Sequence, residues 1–271
     1  TKESCRMRDF PFITAHTGCM GTPDNSAESA EAAIEYGADI VEDDIRATRD
    51  GTLVLSHDDS VVFADGTEGS IAGMTWAELN ARMDRPPQLL EPVLKYVVDA
   101  GKTMNLDLKS DDGIQPLSEL IGKLGVADRV FLTGCEYARA IAVSKCNSRL
   151  RKLLNVDVHA FMRIPYAEAV DELCEQALVA GCFGLNLPYQ IVQPSLLEAA
   201  RNAGLEVYVW TVNEEPQMRA FAEMGVRSIT TRRVDVLARL KRNWSREEQH
   251  GKQNGGQHGR QDGPEQKGTE Y

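Results

Sequence analysis

Asp39-Ile40-Val41-Glu42-Asp43-Asp44-Ile45-Arg46, then a turn at Asp50-Gly51, then Leu53-Val54-Leu55-Ser56-His57-Asp58, is the stretch on which the fold depends. Its first half reads as a strand, being short, rich in β-branched residues and bounded by turn formers. Side chains on a strand alternate faces, so Glu42 and Asp44 point the same way. Two carboxylates side by side on one buried face repel each other and take up protons unless a cation sits between them. All-oxygen ligands suit a hard cation, Mg²⁺ or Ca²⁺, rather than zinc. Taken alone, an E-x-D pair fits a solvated strand face better. What ties this pair to chemistry is His57 at the end of the next extended run, and a second histidine upstream.

That upstream residue, His16, ends the short apolar run Phe12-Ile13-Thr14-Ala15. A glycine- and proline-bearing loop follows to Asn25, and Ser26-Ala27-Glu28-Ser29 opens a helix that Gly37 stops. Past His57, residues 58–85 are polar and turn-rich and read as an excursion off the main fold, ending in a short helix from Trp76 to Met83. Further strands are expected at 104–109, 130–133, 153–156, 183–187, 206–211 and 227–230. Helices separate them near 89–100, 114–124, 136–145, 166–180, 194–203 and 214–224, with a last one at about 234–241. Eight strands alternating with helices predict an α/β fold, a (β/α)₈ TIM barrel. The rival is an open doubly wound sheet, but no glycine-rich dinucleotide fingerprint follows the first strand.

The domain reading is therefore a barrel over 1–242 with an insertion at 58–85, and a disordered polar tail over 243–271. From 246 onward Gly, Gln, Glu, Lys and Arg dominate, without apolar periodicity. Within the tail, His250 and His258 read as solvated, and Asn243-Trp244-Ser245 fits a glycosylation acceptor only in a secreted eukaryotic protein. The chain of 271 residues is long enough to bury a full core. Its formal charge of −11 argues against nucleic acid or an anionic membrane surface as partner. It leaves room for an anionic substrate, since a bound divalent cation reverses the local field. The six cysteines form no zinc spacing and are expected as buried free thiols. No apolar run approaches membrane-spanning length. The expected location is cytoplasmic, although a chain beginning at Thr1 leaves room for a trimmed leader.

A barrel brings the polar ends of its strands to one rim. Asn105, Asp107 and Lys109 share a face of the third barrel strand, so Asp107 joins Glu42 and Asp44 if the second and third strands are neighbours. Three carboxylates make a cradle for Mg²⁺ or Ca²⁺. His16 and His57 then act as proton handlers, because imidazole titrates near neutral pH. Trp210 lies at the end of a later strand on the same rim. His159 has no partner pattern. A cation, Lys109 and two histidines describe hydrolysis at a phosphorus centre: cation and lysine neutralise phosphate oxygens, one histidine activates the attacking oxygen and the other protonates the leaving alcohol. Nothing resembles a P-loop, so a nucleoside triphosphate is not the expected substrate.

In order along the chain, His16-Thr17-Gly18, Pro23-Asp24-Asn25-Ser26, Gly37-Ala38-Asp39, Glu42-x-Asp44-x-Arg46, Asp50-Gly51 and His57-Asp58 resemble the glycerophosphodiester phosphodiesterase family. Asn105-x-Asp107-x-Lys109, Trp210-Thr211-Val212-Asn213 and Gly225-Val226 continue the resemblance, which covers roughly residues 10–240. It implies a (β/α)₈ barrel that cleaves glycerophosphodiesters to glycerol 3-phosphate and an alcohol with a divalent cation. It also implies His16 and His57 as the acid–base pair, Glu42, Asp44 and Asp107 as metal ligands, and Lys109, Thr17 and Trp210 as substrate contacts. Three departures stand out. Thr17 occupies the place of a phosphate-contacting arginine, Asp24 and Asp107 stand where glutamate is usual, and Thr230-Thr231-Arg232 lacks a common aspartate. The aspartate at the third ligand position is similar to the sphingomyelinase D branch of the superfamily. The alternatives are thus a lysophospholipase D or sphingomyelinase D-like phosphodiesterase, for which residues 71–76 offer an apolar lip, and a catalytically silent phosphate-ester binding barrel.

Overall fold

The structure, a computed structural model, describes residues 9–254. Eight parallel strands form the barrel: β1 (Phe12–Ala15), β2 (Ile40–Ala47), β6 (Thr103–Leu108), β7 (Val130–Thr133), β8 (Leu153–Asn155), β9 (Gly184–Pro188), β10 (Glu206–Trp210) and β11 (Ser228–Thr231). Their order is β7-β6-β2-β1-β11-β10-β9-β8, and the bridge between Leu132 and Lys152 brings the two ends together. All eight correspond to strands expected from the sequence. The helices α1 (Ala27–Glu35), α3 (Leu90–Asp99), α4 (Ile114–Leu124), α5 (Tyr137–Cys146), α7 (Tyr166–Val179), α8 (Pro194–Asn202), α9 (Glu215–Met224) and α10 (Val234–Asn254) ring the outside.

Strand alternation sorts the barrel into two environments. Val41, Ile45, Met104, Leu106, Leu108, Leu185, Leu187, Val207, Val209 and Ile229 face the helices in one continuous core. Facing inward, Ile40, Phe131, Leu153 and Tyr208 form a separate cluster. The rings of Phe131, Phe183 and Tyr208 meet edge to face in it, which packs the barrel interior towards the strand N-termini. One step along each strand the interior turns polar, with Glu42, Asp44, Asn105, Thr133, Asn186 and Thr230 buried there. A filled lower layer and a polar upper layer put the chemistry at the C-terminal ends of the strands.

The excursion after His57 has its own small core of Val54, Val61, Phe63, Ile71 and Leu79. It contains an antiparallel pair, β4 (Ser60–Val62) with β5 (Glu68–Ser70), and α2 (Trp76–Arg82), whose N-terminus Thr75 and Glu78 close with a capping box. β3 (Leu53–Leu55) pairs antiparallel with the far end of β2 and carries the chain to His57. Strands as short as β4 and β5 leave too little periodicity to read. The same holds for α6 (Val158–Phe161), a single turn just past β8.

At the C-terminus α10 runs beyond Lys241, its expected end, to Asn254. Trp244, which the sequence reading assigns to the tail, packs edge-on against Phe10 with ring centroids 5.5 Å apart. The remainder of the expected tail, 255–271, and Cys5 lie outside the described residues. The other five cysteines are free thiols, four buried and Cys146 exposed. Among the described residues no helix is long and apolar enough to cross a membrane.

Candidate active site

β2 and β6 are paired in register, with Glu42 opposite Asn105 and Asp44 opposite Asp107. The second and third barrel strands are therefore neighbours, the condition on which the three-carboxylate cradle rests. Oxygen atoms of Glu42, Asp44 and Asp107 lie within 4.8 Å of one another. Glu42 and Asp44 are buried, and the proximity has the electrostatic consequence expected of it. Burial pushes the Glu42 carboxyl well above its ordinary value, and the charges of Asp44, Asp107 and Asp43 push it further.

Each carboxylate is held by its surroundings. The Thr17 backbone N–H donates to Glu42 Oε2 at 3.1 Å. Asn25 brackets Asp44: its Nδ2 donates to Asp44 Oδ2 at 3.0 Å, and its Oδ1 accepts from the Asp44 backbone N–H at 2.9 Å. Asn25 reaches this position from a left-handed backbone conformation, φ 55°. Lys109 Nζ donates to Asp107 Oδ2 at 2.7 Å and pairs with Asp44 Oδ1 at 2.8 Å. Burial lowers the Lys109 ammonium, but the Asp107 and Asp44 carboxylates outweigh it and raise it to about 12. Asp107 Oδ1 is buried without a hydrogen-bond partner among the described residues. At Gly134 (φ 70°) a Cβ would overlap that same oxygen, so the loop after β7 needs glycine to pass so close. A coordinatively free carboxylate oxygen in an all-oxygen cluster with excess negative charge fits a hard divalent cation.

The two histidines line the same cavity in unlike settings. His16 leaves β1 beside Glu42, with its Nδ1 2.8 Å from the Thr17 carbonyl oxygen and 3.9 Å from Glu42 Oε2. An imidazole donating from Nδ1 to a carbonyl keeps its lone pair on Nε2. Burial holds its pKa below the ordinary 6.5, and the nearby Arg232 charge adds to that. His57, by contrast, has a side chain 68% exposed and an Nδ1 2.8 Å from Asp58 Oδ1. That contact depresses the Asp58 carboxyl below its usual range. Arg46 Nε donates to the His57 carbonyl and fixes the arm.

Both histidines, the three carboxylates, Lys109 and Trp210 line one cavity of about 1450 Å³. Trp210 stands half-exposed on its wall. Thr17, expected as a substrate contact, also lines the cavity. Its side chain is buried, and its Oγ1 accepts from the Asn25 backbone N–H at 2.5 Å, so the hydroxyl clamps the loop. His159 sits exposed on α6. Two residues outside the expected set belong to the site: Asn25, as the bracket of Asp44, and Arg232, on the cavity wall. A carboxylate ligand needs an orienting partner, and that requirement was the available signal for Asn25.

Behind the site, Asp43 points the other way along β2 and is fully buried with neither carboxylate oxygen hydrogen-bonded among the described residues. Burial drives it up to about 7, against partial help from the nearby Thr17 hydroxyl.

The family model described as Glycerophosphoryl diester phosphodiesterase family matches residues 16–236. The chain is 26% identical over 247 residues to the glycerophosphodiester phosphodiesterase of Caldanaerobacter subterraneus subsp. tengcongensis, covering 85% of this chain and 98% of that one. Its fold is similar to that of an Oleispira antarctica phosphodiesterase solved in complex with the product sn-glycerol-3-phosphate. The TM-score there is 0.71 at 20% identity, covering 86% of this chain and 97% of that one. The glycerophosphodiester phosphodiesterase of Thermotoga maritima is similar at TM-score 0.69 and 22% identity, covering 85% and 98%.

Proposed function

The chain belongs to the glycerophosphoryl diester phosphodiesterase family, and from that premise we propose that it hydrolyses a glycerophosphodiester to glycerol 3-phosphate and an alcohol, using a divalent cation and a pair of histidines. It is an enzyme, a phosphodiesterase. The observation that carries the finer reading is the meeting of three carboxylate ligand atoms within 4.8 Å, flanked by two histidines in one cavity.

Glu42, Asp44 and Asp107 would hold the cation, and the orphaned Oδ1 of Asp107 supports that choice. When bound, the cation supplies Lewis-acid stabilisation of phosphate oxygens. Lys109, on the same rim, brings a second positive charge to the phosphate and opposes the build-up of negative charge in the transition state. His16 is suited to be the base, because it is neutral at physiological pH and its Nδ1 contact leaves Nε2 free to accept the proton of the attacking oxygen. His57 is suited to be the acid. Its Nδ1 contact with the Asp58 carboxylate fixes the ring and leaves Nε2 as the edge available to protonate the departing alkoxide. Trp210 offers an apolar face to the carbon skeleton. An exposed acid and a half-buried base also fit the geometry of the reaction, since the leaving alcohol departs towards solvent.

The insertion lends a second reading. Val61, Val62, Ile71 and Met83 line the same cavity, and Val62 is exposed. An apolar wall in the cavity favours a substrate whose glycerol carries an acyl chain, and release of the head-group alcohol from such a lysophospholipid is lysophospholipase D chemistry. The test is product analysis across glycerophosphocholine, glycerophosphoethanolamine, glycerophosphoinositol and lysophosphatidylcholine, each with and without chelator. Cation-dependent release of glycerol 3-phosphate from one of the first three supports the proposal. Turnover of lysophosphatidylcholine alone moves the assignment to the second reading, and turnover of none would overturn both.

A further inference from the structure

The cavity wall carries a cation that the mechanism above does not use. β1 and β11 are paired in register up to Ala15 and Thr231, and the His16 backbone N–H donates to the Thr231 carbonyl at 2.9 Å. Arg232 is therefore the residue directly across from His16. Inward-facing Thr14 and Thr230 lie two residues before His16 and Arg232, so alternation sends both later side chains to the barrel mouth. The Arg232 backbone is clamped on both sides: its N–H donates to Asn213 Oδ1, and its carbonyl accepts from the Met20 N–H, each at 2.9 Å. A rigid backbone with a half-exposed guanidinium is a fixed mount for a mobile fork.

Two other cations of the cavity are each held by more than one partner. Lys109 bridges Asp44 and Asp107. Arg139 donates to the carbonyls of Leu108 and Gly134 and to Asp111. Among the described residues Arg232 makes one ion pair, Nη1 to Asp24 Oδ1 at 3.1 Å, with its side chain 43% exposed. A Cβ at Gly18 (φ 71°) would overlap the Asp24 carboxylate and touch Arg232 Nη1, so this loop is shaped around the pair. Asp24 Oδ1 thus occupies, beside His16, the kind of position that a phosphate oxygen takes against a guanidinium fork. Thr17, the nearest alternative anchor, is buried with its hydroxyl turned into the loop.

We propose that Arg232 is the phosphate-gripping residue of this site, and that Asp24 is a built-in surrogate anion that the substrate phosphate displaces. The inference rests on the phosphodiesterase reading above for the identity of the substrate. In it the phosphate is held between Lys109 on the β6 side and Arg232 on the β11 side, with His16 next to the latter. Asp24 keeps the guanidinium in place without substrate and lowers affinity by competing for it.

The experiment measures binding of glycerol 3-phosphate and of inorganic phosphate by calorimetry, in Mg²⁺, to the wild-type protein and to Arg232→Gln, Arg232→Lys and Asp24→Asn. Thermal denaturation of each and KM for whichever diester the wild type turns over accompany it. Arg232→Gln is expected to weaken phosphate binding about tenfold or more, the scale of a lost charge-assisted pair, with an unchanged melting temperature. Arg232→Lys should recover part of that loss. Asp24→Asn should move the other way and tighten binding by about threefold or more, with KM falling in parallel. Equal affinity in Arg232→Gln and wild type overturns the proposal. So does weakening in both Arg232→Gln and Asp24→Asn, which would make the pair a structural strut. A wild type that turns over no diester while Arg232→Gln still loses phosphate affinity defeats the phosphodiesterase reading and leaves this one standing.

Discussion

The two histidine-bearing corners of the barrel mouth are built on different plans. His16 leaves a central strand whose neighbours on both sides are paired in register, and it is locked by contacts to Thr17, Glu42 and the Thr231 carbonyl. His57 ends a three-residue strand on an arm outside the barrel, mostly in solvent, with one carboxylate at its back. The difference teaches which proton each can handle. At His16 burial outweighs the nearby carboxylates and lowers the imidazole pKa, which suits it to accept a proton, whereas His57 stands at the solvent edge where a leaving group can reach it.

The largest effect should come from the ground between the two corners, because the division of labour has no meaning without a charged centre for the phosphate. Glu42→Gln and Asp44→Asn should reduce turnover to near background and weaken divalent-cation binding, with the melting temperature preserved in chelator. Full activity in a chelated protein free of bound metal would remove the centre from the account. Next, His16→Ala and His57→Ala should each lower kcat by at least about 10²-fold, the scale of losing an acid or base. His159→Ala, exposed on α6, should leave kcat unchanged. A loss there equal to the other two would break the pairing. The pH profile sharpens the contrast. Protonating His16 removes the base, and its pKa lies below 6.5, so the acidic limb of kcat/KM should fall below that value. A limb centred above 6.5 would mean that the buried corner does not supply the base.

Smaller effects test how the corners are held. Asn25→Ala should cost about tenfold in cation affinity, the scale of losing a partner that orients a ligand, and leave KM for substrate in saturating cation nearly unchanged. The smallest effect concerns Asp43, behind the His16 corner. Its folded pKa, about 7, lies above its ordinary 3.8, so the folded state holds a proton that the unfolded chain gives up across that interval. Stability therefore declines as pH rises from about 4 to about 7. Asp43→Asn removes that dependence, so the melting-temperature advantage of the mutant over wild type should widen from pH 5 to pH 8. A constant gap would show that Asp43 is ionised throughout.

Much of this was legible in the sequence because barrel strands alternate and their ends share one rim. Glu42-x-Asp44 and Asn105-x-Asp107-x-Lys109 declare a face by spacing alone, and the pairing of β2 with β6 then needs only the barrel. What stayed hidden was set by loops. Asn25 works from a left-handed conformation that spacing does not encode. Thr17 sits next to His16 in sequence yet turns its hydroxyl into the loop, because Asn25 offers it a backbone N–H. Arg232 is one of two adjacent arginines, and only the register of β1 with β11 singles it out. Trp244 carries helix α10 past its expected end by packing on Phe10 at the opposite terminus of the chain, a contact that no local pattern announces.

The assignment of base to the buried corner and acid to the exposed one is tested most directly by changing the leaving group. A diester whose leaving group is a nitrophenol departs as a stable anion and needs no proton, so it should not need the acid. On that substrate His57→Ala should regain most of the activity that it loses on glycerophosphocholine, while His16→Ala stays about 10²-fold down on both. Recovery of His16→Ala instead, or equal loss in both variants on both substrates, would contradict the account.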